Sequence, residues 1–221
     1  MTPESHSTFT EAPAIRPVVA TAVVAEPEVE SAGRWTRGHV PGEVGIWIFI
    51  LGDMTLYAAL FGSFMADRSR DVALFNESAA ELHVSFGAIN TLLLLCSSLF
   101  VVLGIRAVRE QISRQRAPLL FALAMVCGAG FVVNKYFEYS DLLSSDLPPA
   151  ENAFFIYYYV LTGIHLTHLL AGMCVLYFLY RTSRRPRLEQ KQIRAAESGA
   201  SFWHVVDLLW IVLFPLLYLV A

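Results

Sequence analysis

The stretch Phe154–Tyr180, FFIYYYVLTGIHLTHLLAGMCVLYFLY, runs for 27 residues without an Asp, Glu, Lys or Arg. A helix rises about 1.5 Å per residue and a bilayer core is about 30 Å thick, so about 20 apolar residues suffice to cross it. A lone span has to satisfy its own backbone hydrogen bonds in hydrocarbon, which makes this stretch a helix rather than a strand. Working outward, four further blocks qualify: 44–66, 83–105, 117–140 and 201–220. The third of the five, 117–140, is the least apolar at its end, where Asn134, Lys135 and Glu138 occur. The expected fold is all-α, an integral membrane bundle of five transmembrane helices.

The composition agrees. Hydrophobic residues make up 56% of the 221 positions and the mean hydropathy is +0.52. Charged residues fall to 16%, against about a quarter in soluble domains, and they lie between the apolar blocks. The formal net charge of -3 says little about partners. No basic stripe with interleaved aromatics occurs, so nucleic acid is not an expected partner. Cys96, Cys127 and Cys174 each sit in a different apolar block without CxxC or Cys/His finger spacing. They read as small apolar filler rather than zinc ligands.

Residues 1–33 lack the basic start of a secretory signal, and the apolar run Val18–Ala25 is too short to span. This segment holds Pro3, Pro13, Pro17 and Pro27 with five glutamates. Residues 1–40 are therefore expected to be a disordered cytoplasmic tail, followed by a membrane domain over 41–221. With five spans, the tail and the loops 106–116 and 181–200 share one side and carry 13 of the 16 basic residues. The loop 67–82 carries only Arg68 and Arg70, and the loop 141–153 none. The positive-inside rule then puts the N-terminus in the cytoplasm and the C-terminus outside the cell membrane. Pro41-Gly42, Pro148-Pro149 and Pro186 punctuate the connections, and Pro215 is expected to kink the last span. Trp35, Trp47, Tyr157–Tyr159, Trp203 and Tyr218 lie near span ends, as interfacial belts do. No internal repeat is evident, which counts against inverted-repeat transporters.

Small residues mark helix-packing faces in lipid: Gly45, Gly52, Ala59 and Ser63 on the first span, and Gly163, Thr167 and Ala171 on the fourth. Both faces are expected to pack on neighbouring helices. Ionisable groups inside a membrane are costly and have to face protein or water. Those within the spans are Asp53, Glu138, His165, His168, His204 and Asp207, with Asn90, Asn134 and Lys135 as polar company. Depth along the helices suggests two layers. Asp53, His168, His204 and Asp207 form the inner one; Glu138, Lys135 and Asn90 form the outer, with His165 between. Three chemistries are open to this set: interhelical hydrogen bonding, a metal or haem site built on His165 and His168, or a proton relay. The Glu-x-x-His pairs of di-iron bundles are absent.

Three stretches resemble subunit III of the haem–copper oxidases. Tyr158 to Gly172 reads YYVLTGIHLTHLLAG, similar to that family's TGxHxxHxxxG pattern. Phe202 to Trp210 reads FWHVVDLLW, similar to its WHFVDxxW, and Phe137-Glu138-Tyr139 is like its Glu-Tyr pair. The likeness covers residues 40 to 221. Where the family usually has Ser-Glu, this chain has Gly52-Asp53, and with the Pro41-Gly42-Glu43 approach this is more similar to the branch found with nitric oxide reductases, often called NorE-like.

The resemblance implies a seven-helix fold in the longer members, in which two N-terminal helices diverge from five and hold phospholipid in the cleft. With five spans, one wall of such a cleft would have to come from another subunit. It further implies docking on catalytic subunits I and II of a haem–copper oxidase or a nitric oxide reductase. There the chain would stabilise the catalytic subunit and support proton uptake during electron transport from cytochrome c to oxygen. No catalytic residue, metal ligand or cofactor other than lipid is expected on the chain itself. Its histidines are too few for two haems and copper, and its cysteines are unpaired. A stand-alone proton or small-solute carrier is the alternative of another class.

Overall fold

The computed structural model describes residues 44–110, 114–144, 152–185 and 189–219. The tail expected over 1–40 lies outside the described residues, as do Pro41-Gly42, Pro148-Pro149 and Pro186. The described chain forms α1 (Val44–Arg70), α2 (Val72–Ala80), α3 (Val84–Glu110), a 3₁₀ turn (Arg114–Arg116), α4 (Ala117–Ser144), α5 (Ala153–Ser183) and α6 (Gln190–Tyr218). No strand occurs among the described residues. All the helices but α2 are long and apolar enough to cross a membrane.

The helices outrun the apolar blocks that announce them. The last one begins at Gln190, not near 201, so most of the loop expected over 181–200 is helical. Gln190-Lys191-Gln192 and Arg194-Ala195-Ala196-Glu197 are strong helix formers, and the Gln192 side chain accepts from the Glu189 backbone N–H at 3.2 Å to cap the first turn. Hydropathy marks where a helix meets lipid; the backbone ladder continues until a cap stops it. Pro215 lies inside α6, which runs past it to Tyr218.

The loop expected over 67–82 is also structured. α1 continues to Arg70 and α2 follows at once, its first turn capped by Asp71 Oδ1 accepting from Leu74 N at 3.1 Å. Phe64, Phe75 and Phe154 join α1, α2 and α5 in a cluster with centroids 5.3–6.3 Å apart, Phe75 lying edge-to-face with both other rings. Asn152 caps α5 through Phe155 N at 3.1 Å and donates to Ser78 Oγ of α2 at 2.9 Å. Tyr157 OH donates to Asp67 at 2.7 Å. Three polar and aromatic ties thus hold the α1–α2 corner against α5.

α3, α4, α5 and α6 pack in an antiparallel ring, with α3 closing on α6 and α1 outside against α5 and α6. Half of the central apolar stretch of α6 is buried, against 22% for α1. Trp203 and Trp210 are fully buried, so Trp203 is core rather than an interfacial anchor. Gly128 and Gly172 make room for it. A Cβ on Gly172 would lie 2.7 Å from the Trp203 ring, and one on Gly128 2.6 Å from Met173 Sδ.

The expected packing of the small-residue faces is not what the fold contains. Gly45, Gly52, Ala59 and Ser63 are exposed, and a Cβ on Gly45, Gly52 or Gly163 would meet nothing within 4 Å. Thr167 and Ala171 are exposed too. Both faces point away from the bundle.

These contacts predict opposite outcomes for two glycines. Gly172→Val should destabilise the protein by about 1–3 kcal/mol, because two buried aromatic atoms would have to move. Gly163→Ala should be neutral within about 0.5 kcal/mol. Thermal unfolding in detergent, followed by size-exclusion chromatography, separates the two.

Candidate functional site

The ionisable residues meet as separate pairs, each drawn from within one of the expected layers, rather than as one network per layer. With the amide pair Asn90–Asn134 they make four separate groups, and one histidine stands apart from all of them.

The densest group ties α4, α5 and α6 together. The Lys135 ammonium donates to Glu138 Oε2, Tyr158 OH and Tyr218 OH, each at 3.0 Å. Both tyrosine hydroxyls in turn donate to Glu138 Oε1, that of Tyr158 at 2.9 Å. All three ammonium donors are used and the carboxylate accepts from all sides, as a buried charge pair requires. The Lys135 Nζ also lies 4.7 Å from the centroid of the Tyr158 ring and 5.3 Å from that of Trp210. Tyr158 and Tyr218, read from the sequence as interfacial aromatics, are buried partners of this charge. Their position near a span end gave no sign of it, since a belt tyrosine and a buried one occupy the same depth. Trp47, by contrast, is exposed.

Asp53 of α1 and His168 of α5 form the second group, Oδ1 to Nε2 at 3.1 Å. His168 Nδ1 meets the Ile164 carbonyl of its own helix at 2.9 Å, so both ring nitrogens are engaged. Asp53 therefore lies with His168, and Glu138 with Lys135. The third group is His204, whose Nδ1 meets Ser98 Oγ at 2.7 Å, with the Asp207 carboxylate 4.0 Å away. Ser98 went unnoticed in the sequence because an isolated serine in an apolar run has no periodic signature. The expected joining of Asp53 and His168 to His204 and Asp207 is thus replaced by two distinct pairs on different helix seams.

Asn90 makes the fourth group, but with Asn134 rather than with Lys135 and Glu138: Asn134 Nδ2 donates to Asn90 Oδ1 at 2.9 Å and to the Phe86 carbonyl at 3.0 Å. His165 packs between Phe131 and Trp210, with ring centroids 5.4 and 5.1 Å away, and neither ring nitrogen has a hydrogen-bond partner among the described residues. Although three residues apart on α5, His165 and His168 point to different neighbours. Among the described residues, no three His, Cys, Asp or Glu side chains come together as metal ligands would.

A helical bundle with paired charges buried between membrane-length helices defines the class: an all-α, multi-pass membrane protein. A family model described as cytochrome c oxidase subunit III matches residues 26–221. The chain is similar to cytochrome c oxidase subunit 3 of Synechocystis, 29% identical over 79% of this chain and 74% of the relative. It is 26% identical to the Corynebacterium diphtheriae protein of that name, over 80% and 87% respectively. Cytochrome bo(3) ubiquinol oxidase subunit 3 of Pseudomonas putida is 27% identical over 80% of this chain and 85% of its own length. The chain belongs to the cytochrome c oxidase subunit III family, and thereby to the subunits of haem–copper oxidases.

The Lys135 network sets a double-mutant test. Lys135→Met alone should cost about 3–5 kcal/mol, because it strands the Glu138 charge. Adding Glu138→Gln should recover most of that loss. Thermal or denaturant unfolding of Lys135→Met, Glu138→Gln and the double variant in bicelles reads the coupling.

Proposed function

We propose that this chain is the non-catalytic subunit III of a haem–copper terminal oxidase complex, docked on the catalytic subunit, which it stabilises and whose proton uptake it supports during oxygen reduction. The family relationship supplies the class of complex. The observation that carries the docking is the outward direction of the two small-residue faces. Gly45, Gly52, Ala59 and Ser63 of α1 and Gly163, Thr167 and Ala171 of α5 leave the backbone open to close approach, and a Cβ on any of the three glycines would meet nothing within 4 Å among the described residues. Helices associate in lipid through such faces, since no hydrophobic driving force acts between them. The paired state of the ionisable groups supports the accessory role. His168, His204, Lys135 and Glu138 are each engaged with protein partners, which fits helix-to-helix attachment better than ligation of iron or copper.

The distribution of arginines supports an N-terminus in the cytoplasm and a C-terminus outside. A phospholipid retained between this chain and its neighbour is part of the same reading. Gly52-Asp53, in place of the usual Ser-Glu, favours a second reading in which the partner is a nitric oxide reductase.

Affinity purification of the tagged chain in mild detergent tests the proposal. A larger haem-bearing subunit should co-purify, and the complex should reduce oxygen; turnover of nitric oxide alone would select the second reading. Gly52→Leu combined with Ala59→Leu should lower recovery of the assembled complex on the order of tenfold, the effect of ~1.4 kcal/mol of lost packing. A chain that purifies alone and carries protons in liposomes would overturn the accessory role.

A further inference from the structure

α3 and α6 share one antiparallel seam, and three contacts fix its register. A Cβ on Gly87 would lie 2.6 Å from the Phe214 ring, Trp210 Nε1 donates to Thr91 Oγ1 at 3.1 Å, and Ser98 Oγ meets His204 Nδ1 at 2.7 Å. Past His204 the seam widens into a cavity of about 440 Å³, lined by Arg106, Arg109, Glu197, Ser201 and His204 among others. Arg109 Nε and Glu197 Oε1 bridge it at 3.3 Å. Ionised guanidinium and carboxylate groups are too costly to leave in hydrocarbon, so a space they line suits water better than an acyl chain. A water takes about 30 Å³ in the liquid, so several fit.

Asp207 lies one turn of α6 deeper than His204. Its side chain is 5% exposed and 4.0 Å from His204 Nδ1, and the Ser98 hydroxyl lies beside it without completing a well-formed hydrogen bond to either carboxyl oxygen. A buried carboxyl left in that state carries a large desolvation cost, and in folded proteins such groups are usually satisfied by internal water. The two Asp207 oxygens, the Ser98 hydroxyl and the His204 ring together offer the two to four polar partners that such a water needs. One turn further, the seam is shut. Trp210 is fully buried, its ring edge-on to Phe131 at 4.8 Å and 5.1 Å from His165. Beyond that plug every Lys135 donor is already used.

We propose that the cavity and Asp207 form a one-sided proton-exchange site: water reaches the Asp207 carboxyl past His204 from the Arg109–Glu197 end, and the Trp210–Phe131–His165 plug stops the proton from crossing. Proton exchange here is O–H bond transfer between a water or hydronium and the Asp207 carboxyl, with no other reactant. The titratable group beside it is His204, and Glu197 of α6 with Arg106 and Arg109 of α3 line the cavity. His165 of α5 belongs to the plug, and Lys135 of α4 lies beyond it. The site belongs to this chain alone and does not rest on the accessory role, whose failure would show in co-purification instead.

pH-jump infrared difference spectroscopy on the assembled complex, in H₂O and in D₂O, tests the site. The parent should show a titrating carboxyl band that shifts in D₂O, and Asp207→Asn should delete that one band while Asp53→Asn keeps it. Asp207→Glu should move the band, and it carries the test where Asp207→Asn fails to assemble. A spectrum of either Asp207 variant superimposable on the parent, or a band unmoved by D₂O, would overturn the proposal.

Discussion

One ammonium group governs the interior of this bundle. Lys135 is buried near the end of α4, where an unpaired charge would be prohibitive, and it is made tolerable by three hydrogen bonds that reach α5 and α6 as well as its own helix. Tyr158 and Tyr218 each accept from the lysine and donate to Glu138, so neither hydroxyl can rotate away without stranding another group. The arrangement has one satisfying register. A slip of α6 by one residue would carry Tyr218 about 100° round the helix and leave both charges short of a partner. Apolar packing in lipid lacks that discrimination, because lipid tails compete with side chains on nearly equal terms.

The rest of the interior follows from the same demand for partners at low dielectric. Several polar groups occur where a second helix answers them: Asp53 with His168, His204 with Ser98, Asn134 with Asn90; His165 and Asp207 are exceptions. Between them, large aromatics seal the seams. Trp203 fits against Gly128 and Gly172, and Trp210 against Phe131 and His165, so the polar groups of one end are isolated from those of the other. A continuous polar route across the bundle is interrupted at Trp210. That geometry supports the proposed accessory role better than conduction by this chain alone.

The outer surface completes the picture. α1 stands outside the four-helix ring, attached through the Phe64–Phe75–Phe154 cluster, Tyr157–Asp67 and Asp53–His168. Its small residues look outward, away from that attachment. A helix tethered by its polar and aromatic side, with its glycine side free, presents a surface whose natural complement is another helix.

The amino-acid sequence alone determined the five spans, the all-α class, the set of ionisable residues inside them and the family. Each of these rests on local order: runs of apolar residues long enough for a bilayer, and motifs such as His204-x-x-Asp207 contained within one helix. Only the tertiary structure decided who meets whom. Tyr158 and Tyr218 are far apart in the chain, yet share Lys135; Ser98 and His204 meet from different helices; His165 and His168, three residues apart, face different neighbours. Which members of a polar layer pair with one another was hidden for that reason, since depth along a helix says nothing about the angle at which a side chain leaves it. The helical starts at Val72 and Gln190 were hidden for a related reason: hydropathy detects contact with lipid, whereas a helix begins where a cap and its hydrogen-bond ladder allow.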